Sequence, residues 1–189
     1  MFENITLLIV IFSVIFMIAL ISFLVSLFKK TKEGEALVIN GARGSRVTLS
    51  GNIVIPILEK AESINLKIHQ IEVFLEGKAG VVTKDNIIAD AKATFSVRVN
   101  LEPMDIRIVA QSFGTQSTYD TQKVSQLFAP KFEEAIRTVA SQFDFETINN
   151  EAEKFKVEVL VMIGRDLNGF MLDDLAMNYL TATAKRLEV

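Results

Sequence analysis

Twenty-four consecutive positions, Ile5 to Phe28, carry no charge, and only Thr6, Ser13, Ser22 and Ser26 interrupt the Ile/Leu/Val/Phe run. As a helix rising about 1.5 Å per residue this run is about 36 Å long, enough to cross a bilayer core of about 30 Å with some tilt. A single hydroxyl can bond back to a carbonyl of its own helix, so none of the four breaks the span. The expected membrane-spanning positions include Ile5, Leu8, Phe12, Phe16, Leu20, Leu24 and Phe28. A cleavable leader would need a basic start, a shorter apolar core and a small-residue cleavage site. Met-Phe-Glu-Asn and Phe28-Lys29-Lys30 supply none of these, so residues 1–30 are expected to remain as an N-terminal anchor.

After the anchor the pattern shortens to that of strands. Ala36–Asn40 reads as a strand, 41–45 as a turn, Arg46–Ser50 as a second strand and Gly51-Asn52 as another turn. Ile53-Val54-Ile55-Pro56-Ile57-Leu58 follows, and Pro56, lacking an N–H, makes it an edge strand or a bulge. Ile64, Leu66 and Ile68 alternate with Asn65, Lys67 and His69, but after Gln70 the phase reverses to Ile71, Val73 and Leu75. Such a slip implies a bulge or a passage between sheet regions. On this reading His69 lies on the solvated side. Ile87–Val99 alternates without a break and predicts a half-buried, antiparallel strand.

Helical spacing begins after Pro103. It predicts a short helix over Met104–Phe113 and an amphipathic one over Thr121–Phe143, bent or restarted at Pro130. A third helix is expected over Ile148–Leu167, stopped by Asn168-Gly169. Asp173–Leu180 then reads as a closing strand with Leu175, Met177 and Tyr179 on one face. Strands, then helices, then a strand give an α+β class with an antiparallel, strand-rich lobe. The expected organisation is an anchor over 1–30 and one domain over 31–189. Within that domain the strand-rich lobe covers about 34–100, the helical part about 103–168 and the closing strand about 172–181.

Composition changes this picture mainly by exclusion. The formal charge is −3; setting Glu3, Lys29 and Lys30 aside leaves 18 basic and 22 acidic side chains, or −4, for the remainder. An acidic chain gives no support to nucleic-acid binding. With no cysteine and one histidine, disulfides, thiolate zinc sites and histidine-rich metal sites are excluded. Gly41-Ala42-Arg43-Gly44-Ser45 lacks the Gly-Lys-Ser/Thr ending of a phosphate loop. The adjacent pairs Asp173-Asp174 and Glu133-Glu134 do not share a face. No nucleophile, base and acid come together, so no catalytic residue, cofactor or metal site is expected. Lys29, Lys30 and Lys32, with Arg43 and Arg46, follow the span, and no Lys or Arg precedes it. The positive-inside rule then puts the N-terminus outside and the main domain in the cytoplasm, at a cell or inner membrane.

Four ordered elements carry a family likeness. They are Asn52-Ile53-Val54-Ile55-Pro56-Ile57-Leu58, Ile64-Asn65-Leu66-Lys67-Ile68, Thr83-Lys84-Asp85-Asn86, and Asp166-Leu167-Asn168-Gly169-Phe170-Met171-Leu172-Asp173-Asp174-Leu175. Behind a membrane segment they cover nearly all of residues 1–180. In this order the chain resembles the flotillin branch of the SPFH, or band 7, family, and most of all the bacterial flotillins with a true N-terminal span. The resemblance implies a non-enzymatic scaffold that oligomerises on a bilayer and organises membrane microdomains and partner proteins. The alternative it offers is a regulatory adaptor of a membrane protease, as in prohibitin-like and stomatin-like relatives. Ile53, Ile55, Pro56 and Ile57 are then the candidates for lipid or lateral contact. Flotillins continue into an Ala/Glu-rich coiled coil. No heptads appear before Val189, so the chain reads as a short form or a fragment.

Overall fold

The computed structural model describes residues 2–41, 44–164 and 166–186. Arg43 of the basic flank lies outside them, as do the side chains of Ile5 and Leu8. The chain divides into two compact units, Met1–Ser63 and Ile64–Val189. The division falls inside the expected 31–189 domain.

The first unit begins with helix α1, Phe2–Ser26, apolar on every side. Strand β1, Phe28–Lys29, follows at once and pairs antiparallel with β4, Asn52–Ile53, through Phe28↔Ile53 and Lys29↔Asn52. Phe28, expected at the end of the span, thus belongs to a strand. A three-stranded sheet in the order β3-β2-β5 is formed by β2 (Glu35–Gly41), β3 (Gly44–Thr48) and β5 (Glu59–Asn65). Ala36–Ile39 of the middle strand are all buried, and Leu37 and Ile39 pack with Val54 and Ala61. Pro56 does not sit in a strand: residues 56–58 form a turn closed by Leu58 N–H and Glu59 N–H donating to the Ile55 carbonyl at 3.0 and 2.8 Å.

The second unit is a sheet with helices on it. Its strands are β6 (His69–Leu75), β7 (Val81–Val82), β8 (Ile87–Val99), β9 (Asp166–Leu167) and β10 (Phe170–Arg186), ordered β6-β8-β10-β9 with β7 also on β8. All the pairings are antiparallel. The alternation read in Ile87–Val99 is present along the whole of β8, with Ala89, Ala91, Ala93, Phe95, Val97 and Val99 buried. The slip between residues 64 and 75 is a passage between sheets. β5 ends at Asn65, the chain bends at Lys67, and β6 restarts with His69, Ile71, Val73 and Leu75 inward.

The helices are α2 (Pro103–Val109), α3 (Thr121–Ala140), α4 (Phe145–Asn150) and α5 (Ala152–Ile163). Asp120 caps α3, its carboxylate accepting from Gln122 N–H and Lys123 N–H at 3.0 and 3.3 Å. The helix runs on through Pro130; the Gln126 carbonyl that Pro130 cannot bond belongs to an exposed stretch, where water can take it. Its inner face buries Val124, Phe128, Phe132, Ala135, Ile136 and Val139, and Phe132 stacks on Phe95 at 4.2 Å. Leu127, expected on that face, is half exposed.

Several expectations are corrected. The helix expected over 104–113 leaves α geometry after Val109 for a π-helical turn over Ala110–Gly114. The helix expected over 148–167 is two helices parted at Glu151, and α5 stops at Gly164, where φ is 78°. Asn168-Gly169 caps no helix. With φ of 57° and 89° these two residues make the tight hairpin turn joining β9 to β10, a conformation that favours the Asn-Gly pair. At Gly169 a Cβ would lie 2.8 Å from the Asp105 carbonyl oxygen, so close approach demands glycine as well. The closing strand is longer than expected. Its register against β8 shifts between Met177 and Tyr179, which puts Tyr179 on the opposite face from Leu175 and Met177.

Candidate membrane-facing site

An apolar helix that ends without a charge must hand the chain over to polar surroundings within a few residues. The handover is built from backbone pairing. Val54 N–H donates to the Leu27 carbonyl at 2.9 Å, extending the β1–β4 pair back to the end of α1. Thr31 Oγ1 donates to the Leu49 carbonyl at 3.1 Å and accepts from Gly51 N–H at 2.6 Å. Gly51 has φ of 71°, and a Cβ there would lie 2.7 Å from the Lys29 carbonyl oxygen; only glycine lets the strands approach so closely.

The segment after β4 is held at its base by Arg46 and Glu59. Arg46 Nη2 donates to both Glu59 carboxylate oxygens at 2.8 and 2.9 Å, and Glu59 Oε2 accepts from Ile55 N–H at 3.3 Å. The clamp leaves the apolar tip outward. Val54 is buried, whereas Ile53, Ile55, Ile57 and Leu58 are exposed, Ile57 to 92%. Leu49 and Phe28 are exposed as well. Lys29, Lys30 and Lys32 are exposed beside them in the chain. Side chains of this size standing in water cost free energy at about 25 cal/mol per Å² of apolar surface left uncovered. A cluster of them marks a surface that meets something apolar.

Of the sequence candidates, Ile53, Ile55, Pro56 and Ile57 therefore come together on one exposed tip, and Phe12, Phe16, Leu20 and Leu24 are exposed along α1. Sequence reading missed Leu49 and the Arg46–Glu59 clamp. The two clamp residues are thirteen positions apart in the chain, and no local periodicity marks such a pair.

The second unit contains a polar network that the sequence reading placed wrongly. His69 is 4% exposed, because it opens β6 on the inward phase shared with Ile71 and Val73. Asn65 is oriented by two bonds: its Oδ1 accepts from Lys67 N–H at 3.1 Å and its Nδ2 donates to the Thr118 carbonyl at 3.0 Å. The amide nitrogen also faces His69 Nε2 at 3.3 Å, so Nε2 is the acceptor and Nδ1–H donates to Thr121 Oγ1 at 3.0 Å. Burial holds the imidazole below its ordinary pKa, and the Thr118 backbone offsets this only in part. The unfolded chain thus takes up a proton more readily than the folded one. The stability that neutral His69 contributes is present above about pH 6.5 and is lost as the pH falls through and below that value. Urea unfolding of the full chain between pH 7.5 and about pH 5.5 should show this loss, and His69→Gln should flatten the curve. An equal loss in both chains would contradict the neutral, buried ring.

Other polar contacts tie the elements of this unit together. Thr83 Oγ1 donates to Asp85 Oδ1 at 2.5 Å, Asp85 Oδ1 accepts from Phe145 N–H at 3.2 Å, and Lys84 N–H donates to the Phe143 carbonyl at 3.0 Å. The Thr-Lys-Asp-Asn element is thus the clasp between the strand ends and the α3–α4 turn. Asp173 is held by Arg98 at 2.6 Å and Asp174 by Lys156 at 3.2 Å, each on its own partner. Among the described residues no group of three or more His, Cys, Asp or Glu side chains could hold a metal ion.

Comparisons with known proteins give the family. The SPFH domain / Band 7 family model matches residues 29–175. A flotillin family inner membrane protein of Synechocystis sp. is 27% identical in an alignment of 177 residues that covers 90% of this chain. The chain spans about a quarter of the length of that relative, 26%. The match across residues 29–175 covers most of an α+β chain that opens with one helix long and apolar enough to cross a bilayer. The chain therefore belongs to the SPFH domain / Band 7 family, on its flotillin-like branch, as a membrane protein.

Proposed function

We propose that this chain is a non-enzymatic scaffold anchored in a membrane by α1, with several copies assembling there to organise lipid and partner proteins. The segment Ile53–Leu58 lies on the lipid surface beside the anchor, and Lys29, Lys30 and Lys32 face the headgroups of the cytoplasmic leaflet. One observation carries the reading: β1 pairs with β4 directly after α1, and the tip that follows β4 presents Ile53, Ile55, Ile57 and Leu58 outward. A helix fixed in a bilayer holds this tip within a few residues of the headgroups. There, burial of apolar side chains and attraction of lysines to anionic lipid act together.

The chain contains no tryptophan, so Ile57→Trp supplies a single reporter. In the full chain reconstituted in vesicles, its emission should shift to the blue relative to the urea-unfolded chain. Brominated lipids should quench it, and aqueous acrylamide should not. Ready quenching by acrylamide and none by bromolipid would remove the lipid contact from the account.

A further inference from the structure

The passage from β5 to β6 is fixed by a group of polar side chains around the chain's one histidine. Asn65 and His69 reach from the passage to the segment between Thr115 and Thr121. Asn65 N–H donates to Thr118 Oγ1 at 3.0 Å, Asn65 Nδ2 to the Thr118 carbonyl at 3.0 Å, and His69 Nδ1–H to Thr121 Oγ1 at 3.0 Å. Thr118 Oγ1 is oriented by its own bond to the Thr115 carbonyl at 2.6 Å. Asn65, His69, Thr115 and Thr118 are buried, whereas Lys67 and Ile68, in the middle of the passage, are exposed. The facing segment is irregular: a π-helical turn ending at Gly114, with φ of 88°, leads into the 3₁₀ turn Gln116–Tyr119. Short irregular segments held by a few side-chain bonds open at lower cost than the core of a sheet.

A proton on His69 works against this group. The neutral ring accepts at Nε2 from Asn65 Nδ2 at 3.3 Å. On a charged ring both nitrogens donate, so N–H meets N–H. Asn65 cannot answer by turning its amide over, because Oδ1 would leave Lys67 N–H and Nδ2 would leave the Thr118 carbonyl. The charged groups nearby are engaged elsewhere or are cations themselves. Glu72, on the opposite face of β6, pairs with Lys92. Arg98, next to the facing Val97 of β8, pairs with Asp173. The Asp120 carboxylate is turned to Gln122 N–H and Lys123 N–H at the head of α3, Lys67 and Lys123 are exposed, and Gln116–Tyr119 carries no charge. Burial therefore dominates the proton affinity of the ring, with the Thr118 backbone opposing it in part. We propose that the passage is a latch released by acid: protonation of His69 frees Asn65–His69 from the Thr115–Thr121 segment while the sheet and α3 stay folded. The passage joins strands of two different sheets, so the release acts where the two units are connected. In the released segment the ring has its ordinary affinity, near pH 6.5, so release is slight above that value and grows as the pH falls through and below it.

Hydrogen exchange of the full chain in detergent, with rates corrected for the intrinsic effect of pH, reads the latch amide by amide. Between about pH 7.5 and about pH 5.5 the protection of Asn65 N–H and Lys67 N–H should fall by up to about tenfold, the ratio that an ordinary imidazole sets over this range. The protection of Ala93, Phe95 and Val97 in β8 should hold. His69→Gln cannot titrate, so its protection should not follow pH. Asn65→Asp sets an acceptor opposite the charged ring, so acid should tighten its passage. Urea midpoints identify a variant that does not fold, and the natural chain then decides alone. Unchanged protection at Asn65 and Lys67 in the natural chain overturns the latch. An equal loss throughout β8 also overturns it, because the proton then destabilises the whole unit and releases no segment of its own. The same loss in His69→Gln, or a passage that still loosens in acid in Asn65→Asp, counts against it as well.

Discussion

Replacing Phe132 with alanine should lower the folding stability of the second unit by about 3–5 kcal/mol, the range for deleting a large aromatic from a packed core. Phe132 is fully buried and stacks on Phe95 at 4.2 Å, with Phe128 at 6.0 Å on its other side. Phe128 in turn meets Phe170 at 5.1 Å, and Phe170 meets Phe113 at 5.6 Å. This aromatic row joins α3 to β8 and β10, so a cavity at Phe132 loosens the helix and both strands together. Few small domains hold more than about 5–15 kcal/mol in total, so the variant should unfold at markedly lower urea and lose slow amide exchange throughout β8. Leu127→Ala on the same helix is the control: Leu127 is half exposed, and its loss should cost well under half as much. Equal costs at the two positions would mean that α3 does not seat on the sheet by the face described.

The second large effect is expected in α1. Phe16 and Leu20 stand one turn apart near the middle of the apolar stretch Ile9–Ser26. An arginine at the centre of a membrane helix costs about 2.5–3.5 kcal/mol on insertion scales, so Phe16→Arg with Leu20→Arg together oppose insertion by about 5–7 kcal/mol. That is several orders of magnitude in partition, enough to move the chain out of the membrane fraction. Phe28→Arg should leave insertion nearly unchanged, since Phe28 already sits in β1 beyond the helix and an arginine there can keep its charge in the headgroup region. Membrane retention of the Phe16/Leu20 double variant would show that α1 is not what holds the chain.

The parts of this fold that were legible in the sequence are those governed by one local rule. Uniform hydrophobicity marks α1, strict alternation marks β8, and repeats at three and four mark α3. The phase reversal near Gln70 was a true signal too, and it marks the passage from β5 to β6. What failed were the positions where two local rules compete. His69 could be counted in either phase, and counting it with Lys67 placed it in water, whereas it opens the inward phase of β6. Asn168-Gly169 suits a helix stop and a hairpin equally, and only the pairing of Asp166 and Leu167 with Phe170 and Met171 decides for the hairpin. The exposed apolar tip was half legible. The apolar letters Ile53, Ile55 and Ile57 are plain, but their exposure depends on the Arg46–Glu59 clamp and on Gly51, which are tertiary facts.

Every contact proposed at the membrane requires α1 to lie within a bilayer with the folded chain tethered to it. Washing membranes that carry the unmodified full chain with alkaline carbonate, which strips proteins held only by charge or surface contact, tests this directly. The chain should stay wholly with the membrane pellet while the Phe16→Arg, Leu20→Arg variant leaves with the wash. Recovery of the unmodified chain in the wash would contradict the anchor and every contact at the membrane derived from it.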